Sequence, residues 1–196
     1  DVAARVGRWR GLGIERVLAL RGDQVTACDL ARDPRLRSGR ELVELLVALD
    51  PELEVWCAAY PETHPEAASA EADLRSLLAK QNAGASAALC QFTFTAEPFL
   101  RFRDRARAAG LVIPLFAGIM PLRAELMPFA RRCGARIPAA VEQALAQHAD
   151  DADAFAAFGV DQAVALAETL VREEIDGLQL YAHNQPAAAR AIAAAL

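Results

Sequence analysis

The sequence predicts an α/β fold in which parallel strands alternate with helices. Three observations carry this. Short apolar runs of strand length recur five times; a segment with helical spacing of its apolar residues follows each of four of them and an alanine-rich one follows the last; and the runs are apolar at nearly every position, as in strands covered on both faces. Alternation of this kind implies right-handed helical crossovers between neighbouring parallel strands. The only Gly-x-Gly near the first strand, Gly11-Leu12-Gly13, precedes it and lacks the third glycine, so a dinucleotide-binding doubly wound sheet is not what the pattern describes.

The first run, residues 16–20 (RVLAL), ends in Arg21-Gly22-Asp23. Residues 40–49 place Leu42, Val43, Leu45, Leu46 and Leu49 in the stripe of an amphipathic helix. Residues 55–60 (VWCAAY) form the second strand, and the helix over 69–81 starts at Ser69 as a cap and stops at Gly84. Residues 87–94 (AALCQFTF) give the third strand. Thr95 then caps a helix over 96–109 that ends at Gly110 and gathers Phe99, Phe102, Ala106 and Ala109 on one face. The fourth strand is expected over 112–119 (VIPLFAGI), closed by Pro121, and a helix over 122–133. Pro138 suits the first turn of a helix over 138–147, where a missing N–H costs nothing. A further helix runs towards Glu174, the fifth strand is 177–181 (GLQLY), and residues 186–196 form a last, alanine-rich helix. Asp150, Asp151 and Asp153 precede the long helix; carboxylates favour helix N-termini, so they read as capping groups, and no metal site is expected.

A chain of 196 residues fits one domain but is short of the roughly 250 that a complete TIM barrel needs. A formal charge of -5 argues against a nucleic-acid surface, and Arg101, Arg103, Arg105, Arg131 and Arg132 read as solvated helix faces. Cys28, Cys57, Cys90 and Cys133 contain no C-x-x-C, so a reducing cytoplasm is the expected home. No stretch reads as long and apolar enough to span a bilayer, and no membrane partner is expected. The first residue, Asp1, suggests a fragment, a trimmed domain or a processed chain.

In a parallel barrel the chemistry sits at the C-terminal ends of the strands. Those ends carry Arg21-Gly22-Asp23, then Tyr60 through Glu66, then Gln91 and Thr93, then Gly118 through Pro121, then Tyr181 through Gln185. Arg21 and Lys80 offer charge for phosphate or carboxylate, Gly22 permits close backbone approach, and Gln91 both donates and accepts, which suits a pterin or amide edge. Singly, each of these residues reads as readily as a cap, a rim packer or a satisfied polar group. Their convergence is what points to a site for a polar, partly anionic ligand.

The segments 18–23 (LALRGD), 58–67 (AAYPETHPEA), 99–105 (FLRFRDR), 118–121 (GIMP) and 177–184 resemble methylenetetrahydrofolate reductases, in that family's order and near its spacing. The resemblance implies an incomplete (β/α)8 TIM barrel of about five β/α units, strands four to eight, in a single partial domain over residues 1–196 that lacks the first three units. It implies FAD-dependent reduction of methylenetetrahydrofolate to methyltetrahydrofolate with NAD(P)H, in one-carbon metabolism and methionine supply. Arg21, Gly22, Asp23, Tyr60, His64, Glu66, Ala67, Asp73 and Lys80 match flavin-site positions. Asp23 is the implied catalytic residue, stabilising the cationic iminium form of the folate. Asp23, Gln91, Glu125 and Gln185 are the implied substrate contacts. Gln185 stands where the family usually has arginine, Glu125 near a family glutamine, and Ser76 in place of a common asparagine. Ser38-Gly39 replaces an aromatic-small pair, and the family's general-acid glutamate belongs to the units not covered. The fragment alone is therefore expected to be inactive, and a flavin- or folate-binding homologue without turnover, or one half of a hetero-assembly, is the alternative. Open sheet edges predict pairing with another copy, a homo-oligomer.

Overall fold

The computed structural model describes residues 2–20, 36 and 38–196. Its elements, in chain order, are α1 (Val2–Gly11), β1 (Arg16–Ala19), α2 (Gly39–Leu49), β2 (Glu54–Ala59), α3 (Ala70–Asn82), β3 (Ala87–Phe92), α4 (Ala96–Ala108), β4 (Leu115–Ile119), a 3-10 turn (Ala124–Leu126), α5 (Met127–Arg132), α6 (Ala139–Gln147), α7 (Ala152–Arg172), β5 (Gly177–Leu180) and α8 (Pro186–Ala194). The five strands form one parallel sheet in sequential order, β1-β2-β3-β4-β5, with β1 and β5 as outer strands. These are five β/α units of barrel type, and the described sheet does not close.

Helices cover one face. Val55, Cys57 and Ala59 of β2, Ala88 and Cys90 of β3, and Leu115, Ala117 and Ile119 of β4 are buried there. They pack with Val43 and Leu46 of α2, Leu77 of α3, Phe99 and Phe102 of α4, and Leu166 and Leu170 of α7. The concave face is open. Leu18 and Leu20 are exposed, and Trp56 and Phe116 are part-exposed. The strands are therefore covered on one face among the described residues, not on both as their composition suggests.

Local chemistry explains most boundaries. Ser38 accepts from the Glu41 amide while Glu41 reaches back to the Ser38 amide, a capping box that starts α2. Ser69 accepts from Ala72 N and starts α3 as expected. Thr95 is at the N-cap of α4 but makes no side-chain cap bond; its carbonyl instead accepts from Thr93 Oγ1 at 2.9 Å. Asp151 caps α7 by accepting from Ala154 N at 2.9 Å, which is the capping reading of that acidic cluster. No cluster of metal-ligating side chains occurs among the described residues.

Four expectations need correction. Helix α1 was not anticipated: it is arginine-rich, its short apolar stripe of Val2, Val6 and Trp9 packs on the core, and Arg10 pairs with Glu52 and Asp50. Strand β4 begins at Leu115, not at residue 112, because Pro114 has no N–H to give a ladder and Val112 faces solvent. The helix over 122–133 is shortened to α5 behind a 3-10 turn, with Pro128 in its first turn, where proline is tolerated and an interior position is not. Finally, α7 is a 21-residue helix with an 18-residue window of mean hydropathy 1.4, long and apolar enough by length and composition to cross a membrane. Alanine supplies much of that value, and Phe155, Gly159, Ala163, Leu166, Ala167 and Leu170 form a buried stripe of a helix packed on β4, α4 and α8.

Candidate functional site

At the C-terminal ends of β1 and β2 lies a cleft of about 360 Å³. Ala19, Leu20, Ala58 and Tyr60 come from the strands, Ser38 and Gly39 from the start of α2, His64, Glu66 and Ala67 from the loop after β2, and Ala72, Asp73, Ser76 and Lys80 from α3. Residues 72, 76 and 80 share one helix face by their spacing. All six of the described flavin-site expectations (Tyr60, His64, Glu66, Ala67, Asp73 and Lys80) therefore line one cavity. Arg21, Gly22 and Asp23 lie outside the described residues.

The loop is held from below. Asp73 accepts from His64 N at 2.7 Å, and Thr63 takes a left-handed φ of 74°, strain that a non-glycine residue keeps only where its surroundings impose it. Glu66 N donates to His64 Nδ1 at 3.1 Å. With Nδ1 accepting, the proton of a neutral imidazole sits on Nε2, which is then the nitrogen able to donate to a ligand. The His64 ring stands edge-on to Tyr60 with centroids 4.5 Å apart.

Lys80 is the site's buried cation, 9% exposed. Its Nζ donates to Ala58 O at 2.8 Å and lies 6.0 Å from the centre of the Tyr60 ring. Burial pushes its pKa below the ordinary lysine value, against the pull of Cys57 and Asp73. The same burial pushes the Cys57 thiol up to about 11, so it is a packed, un-ionised side chain.

The expected substrate contacts are more dispersed. Gln91, at the end of β3, borders a small neighbouring gap with Tyr60, Glu62, Thr63 and Cys133. Its Oε1 accepts from Phe92 N at 3.2 Å, which leaves the amide NH₂ as its outward donor. Glu125 does not line the cleft: its carboxylate is paired with Arg123, two residues earlier, and is held below the usual range by its own backbone and by that arginine. Gln185 is the N-cap of α8, and its amide N–H donates to Ala182 O, again outside the cleft. Ser38, which sequence reasoning recorded only as a departure, lines the cleft; its Ser-x-x-Glu spacing was the legible signal. Glu62 is a second omission, a largely buried carboxylate that accepts from Arg136 N at 3.0 Å and fixes the α5–α6 loop to the rim.

The methylenetetrahydrofolate reductase family profile matches residues 1–196. The 5,10-methylenetetrahydrofolate reductase of Escherichia coli (strain K12) is 37% identical over 175 residues, 88% of this chain and 57% of that protein. A probable methylenetetrahydrofolate reductase (NADPH) of Caenorhabditis elegans is 28% identical over 195 residues, 98% of this chain and 29% of the relative. The chain thus spans little more than half the length of its bacterial relatives. Among solved structures, a Clostridium thermocellum protein described as binding two copies of 5-methyl-5,6,7,8-tetrahydrofolic acid superposes with a TM-score of 0.59 at 15% identity, covering 80% of this chain and 57% of that one, a likeness of fold. With the profile matched along its whole length, the chain belongs to the methylenetetrahydrofolate reductase family.

Proposed function

We propose that this chain contributes the flavin-binding part of an enzyme that reduces 5,10-methylenetetrahydrofolate to 5-methyltetrahydrofolate, with FAD in the cleft and NAD(P)H as hydride source. The observation that carries the reading is the convergence of Tyr60, His64, Glu66, Ala67, Asp73 and Lys80, from three separate segments, on one cleft at the strand ends. The donor set fits FAD. Lys80 uses one of its three hydrogens on Ala58 O and supplies positive charge for a phosphate. The N-terminus of α2 opens on the same cavity and adds a favourable dipole. His64 Nε2 and the Tyr60 ring offer a donor and an aromatic face.

FAD, when bound, supplies the hydride acceptor and donor between nicotinamide and folate. This chain's residues bind and orient. Gln91 presents its NH₂ to an acceptor on the pterin edge, and Asp23 carries the negative charge that favours a cationic folate. Glu125 and Gln185 are proposed to contact the rest of the substrate. One observation favours a second reading, a flavin- or folate-binding homologue without turnover: the Glu125 carboxylate is already engaged by Arg123.

A visible spectrum of the full-length native protein with FAD tests both. Bound flavin bleached by NAD(P)H and reoxidised by methylenetetrahydrofolate establishes the reductase. Bound flavin that stays oxidised supports the second reading; no bound flavin refutes the reductase, and no binding of either flavin or methylenetetrahydrofolate refutes both.

A further inference from the structure

The junction of β3, β4 and β5 holds a backbone arrangement that the flavin cleft does not use. Between the pairs Leu89–Phe116 and Phe92–Gly118, β3 advances three residues while β4 advances two, so β3 carries a bulge that contains Cys90 and Gln91. A bulge re-aims the side chain it carries, and bulges concentrate beside functional sites. Gly118 makes this bulge possible. A Cβ on Gly118 would lie 2.4 Å from Cys90 O, 2.7 Å from Phe92 N and 2.8 Å from Gln91 C. The peptide groups on both sides of Gln91 therefore rest directly against the Gly118 Cα.

Tyr181 completes the arrangement. It follows β5, and its amide donates to Ile119 O at 2.8 Å. Its hydroxyl crosses β4, the intervening strand, and donates to Cys90 O at 3.0 Å, the same carbonyl that a side chain on Gly118 would strike. The tyrosine ring is braced edge-on against Phe92 with centroids 5.3 Å apart. Phe92 N in turn donates to Gln91 Oε1. Both atoms flanking Gln91 are thus fixed, the carbonyl before it by Tyr181 and the amide after it by the glutamine's own side chain. Burial holds the phenol well above its ordinary pKa, so it stays a donor across the working pH range.

We propose that Tyr181 and Gly118 are positioning residues that aim the Gln91 amide at the pterin, so that affinity for the folate is set from β5 across a gap that only glycine leaves open. This rests on the reading of Gln91 as a folate contact given above.

The test is steady-state kinetics of the full-length enzyme carrying Tyr181→Phe, with Gly118→Ala as a second variant. Tyr181→Phe keeps the ring and removes one hydrogen bond. KM for methylenetetrahydrofolate should rise about threefold to tenfold, the scale of one hydrogen bond to a ligand. The rate of flavin bleaching by NAD(P)H should stay within twofold, and the melting temperature should fall only by the few degrees that one lost hydrogen bond costs. Gly118→Ala should shift the same KM in the same direction and further. The inference is overturned if Tyr181→Phe leaves the folate KM unchanged, or if folate KM, flavin reduction and melting temperature all deteriorate together, which is the pattern of a structural role. A wild-type enzyme that turns over but shows no folate effect in Gln91→Ala refutes the underlying reading of Gln91, an outcome separate from the failure of Tyr181.

Discussion

Replacing Lys80 by methionine separates binding from folding. Lys80 is 9% exposed and lines the cleft proposed to hold flavin, with its Nζ bonded to Ala58 O at 2.8 Å. A hydrogen bond to a charged group contributes about 1.5–3 kcal/mol. Losing one such bond to a phosphate weakens FAD binding by about 10- to 150-fold. Stability responds differently. Leaving the Ala58 carbonyl without its donor costs about 1–3 kcal/mol, whereas removing an ammonium that burial disfavours acts in the opposite direction. The two terms oppose each other, so the net loss of stability should stay below the roughly 3 kcal/mol of the unpaired carbonyl alone, while methionine keeps the aliphatic stem packed. Quenching of flavin fluorescence measures the affinity and urea unfolding measures the stability. Riboflavin, which has no phosphate, supplies the control: its affinity should be the same in wild type and Lys80→Met. An FAD affinity unchanged within twofold, or a riboflavin affinity that falls in parallel, refutes the assignment of Lys80 to the phosphates.

Three further outcomes follow from particular contacts. Asp73→Ala removes the acceptor for His64 N, so the His64 amide should exchange faster with solvent and FAD affinity should fall about tenfold, while Asp73→Asn, which retains an acceptor, should preserve most of both. Gly159→Ala should destabilise the protein by about 1–3 kcal/mol in chemical unfolding, because the new Cβ would sit 2.2 Å from Leu122 O; at an open helical site the same change stabilises by about 1 kcal/mol, so the sign of the effect is the check. Burial raises the Glu62 carboxyl above its ordinary value of 4.5, against the Arg136 amide and charge. Between 4.5 and that raised value the native state holds more protons than the unfolded one, so this group's contribution to stability falls as pH rises through the window. Glu62→Gln should remove that slope from unfolding midpoints measured across the window, and parallel curves for the two proteins would contradict it.

The fold was legible where one physical signal dominated. Apolar runs bounded by turn residues located all five strands, and Ser69, Gly84 and Gly110 marked helix ends by mechanisms that act within a few residues. Errors arose where two signals competed. The run at 112–119 looks continuous in hydropathy, but Pro114 delays the ladder; the segment 122–133 has helical spacing, but Pro128 admits a helix only behind it. Helix α1 was missed because its apolar stripe, Val2, Val6 and Trp9, is short and set among arginines. Tyr60, His64, Glu66, Ala67, Asp73 and Lys80, which line one cleft, were singled out by their resemblance to family positions and not by any local physical signal. Glu125 was assigned by approximate position, and nothing in a position reveals that Arg123 will take the carboxylate. The role of Gly118 depends on a register shift between strands far apart in sequence, which no local pattern encodes.

The two ends of the concave face show how one strand prepares a site. Alternate residues of β2 and its extension, Glu54, Trp56, Ala58 and Tyr60, share that face about 6.6 Å apart along the strand. The lower pair belongs to a connected, part-exposed layer: Glu54 binds Arg16 at 2.6 Å, the Arg16 guanidinium lies 4.6 Å from the centre of the Trp56 ring, and Trp56 stacks on Phe116 at 5.1 Å. Gly177 gives Phe116 its room, since a Cβ there would meet the ring at 2.7 Å. Above that layer the side chain shrinks to alanine at position 58, and the space released is where the cleft begins and where Lys80 reaches the backbone. The small residue between Trp56 and Tyr60 therefore leaves room above the aromatic layer for the cleft at the strand termini, where the polar residues lie.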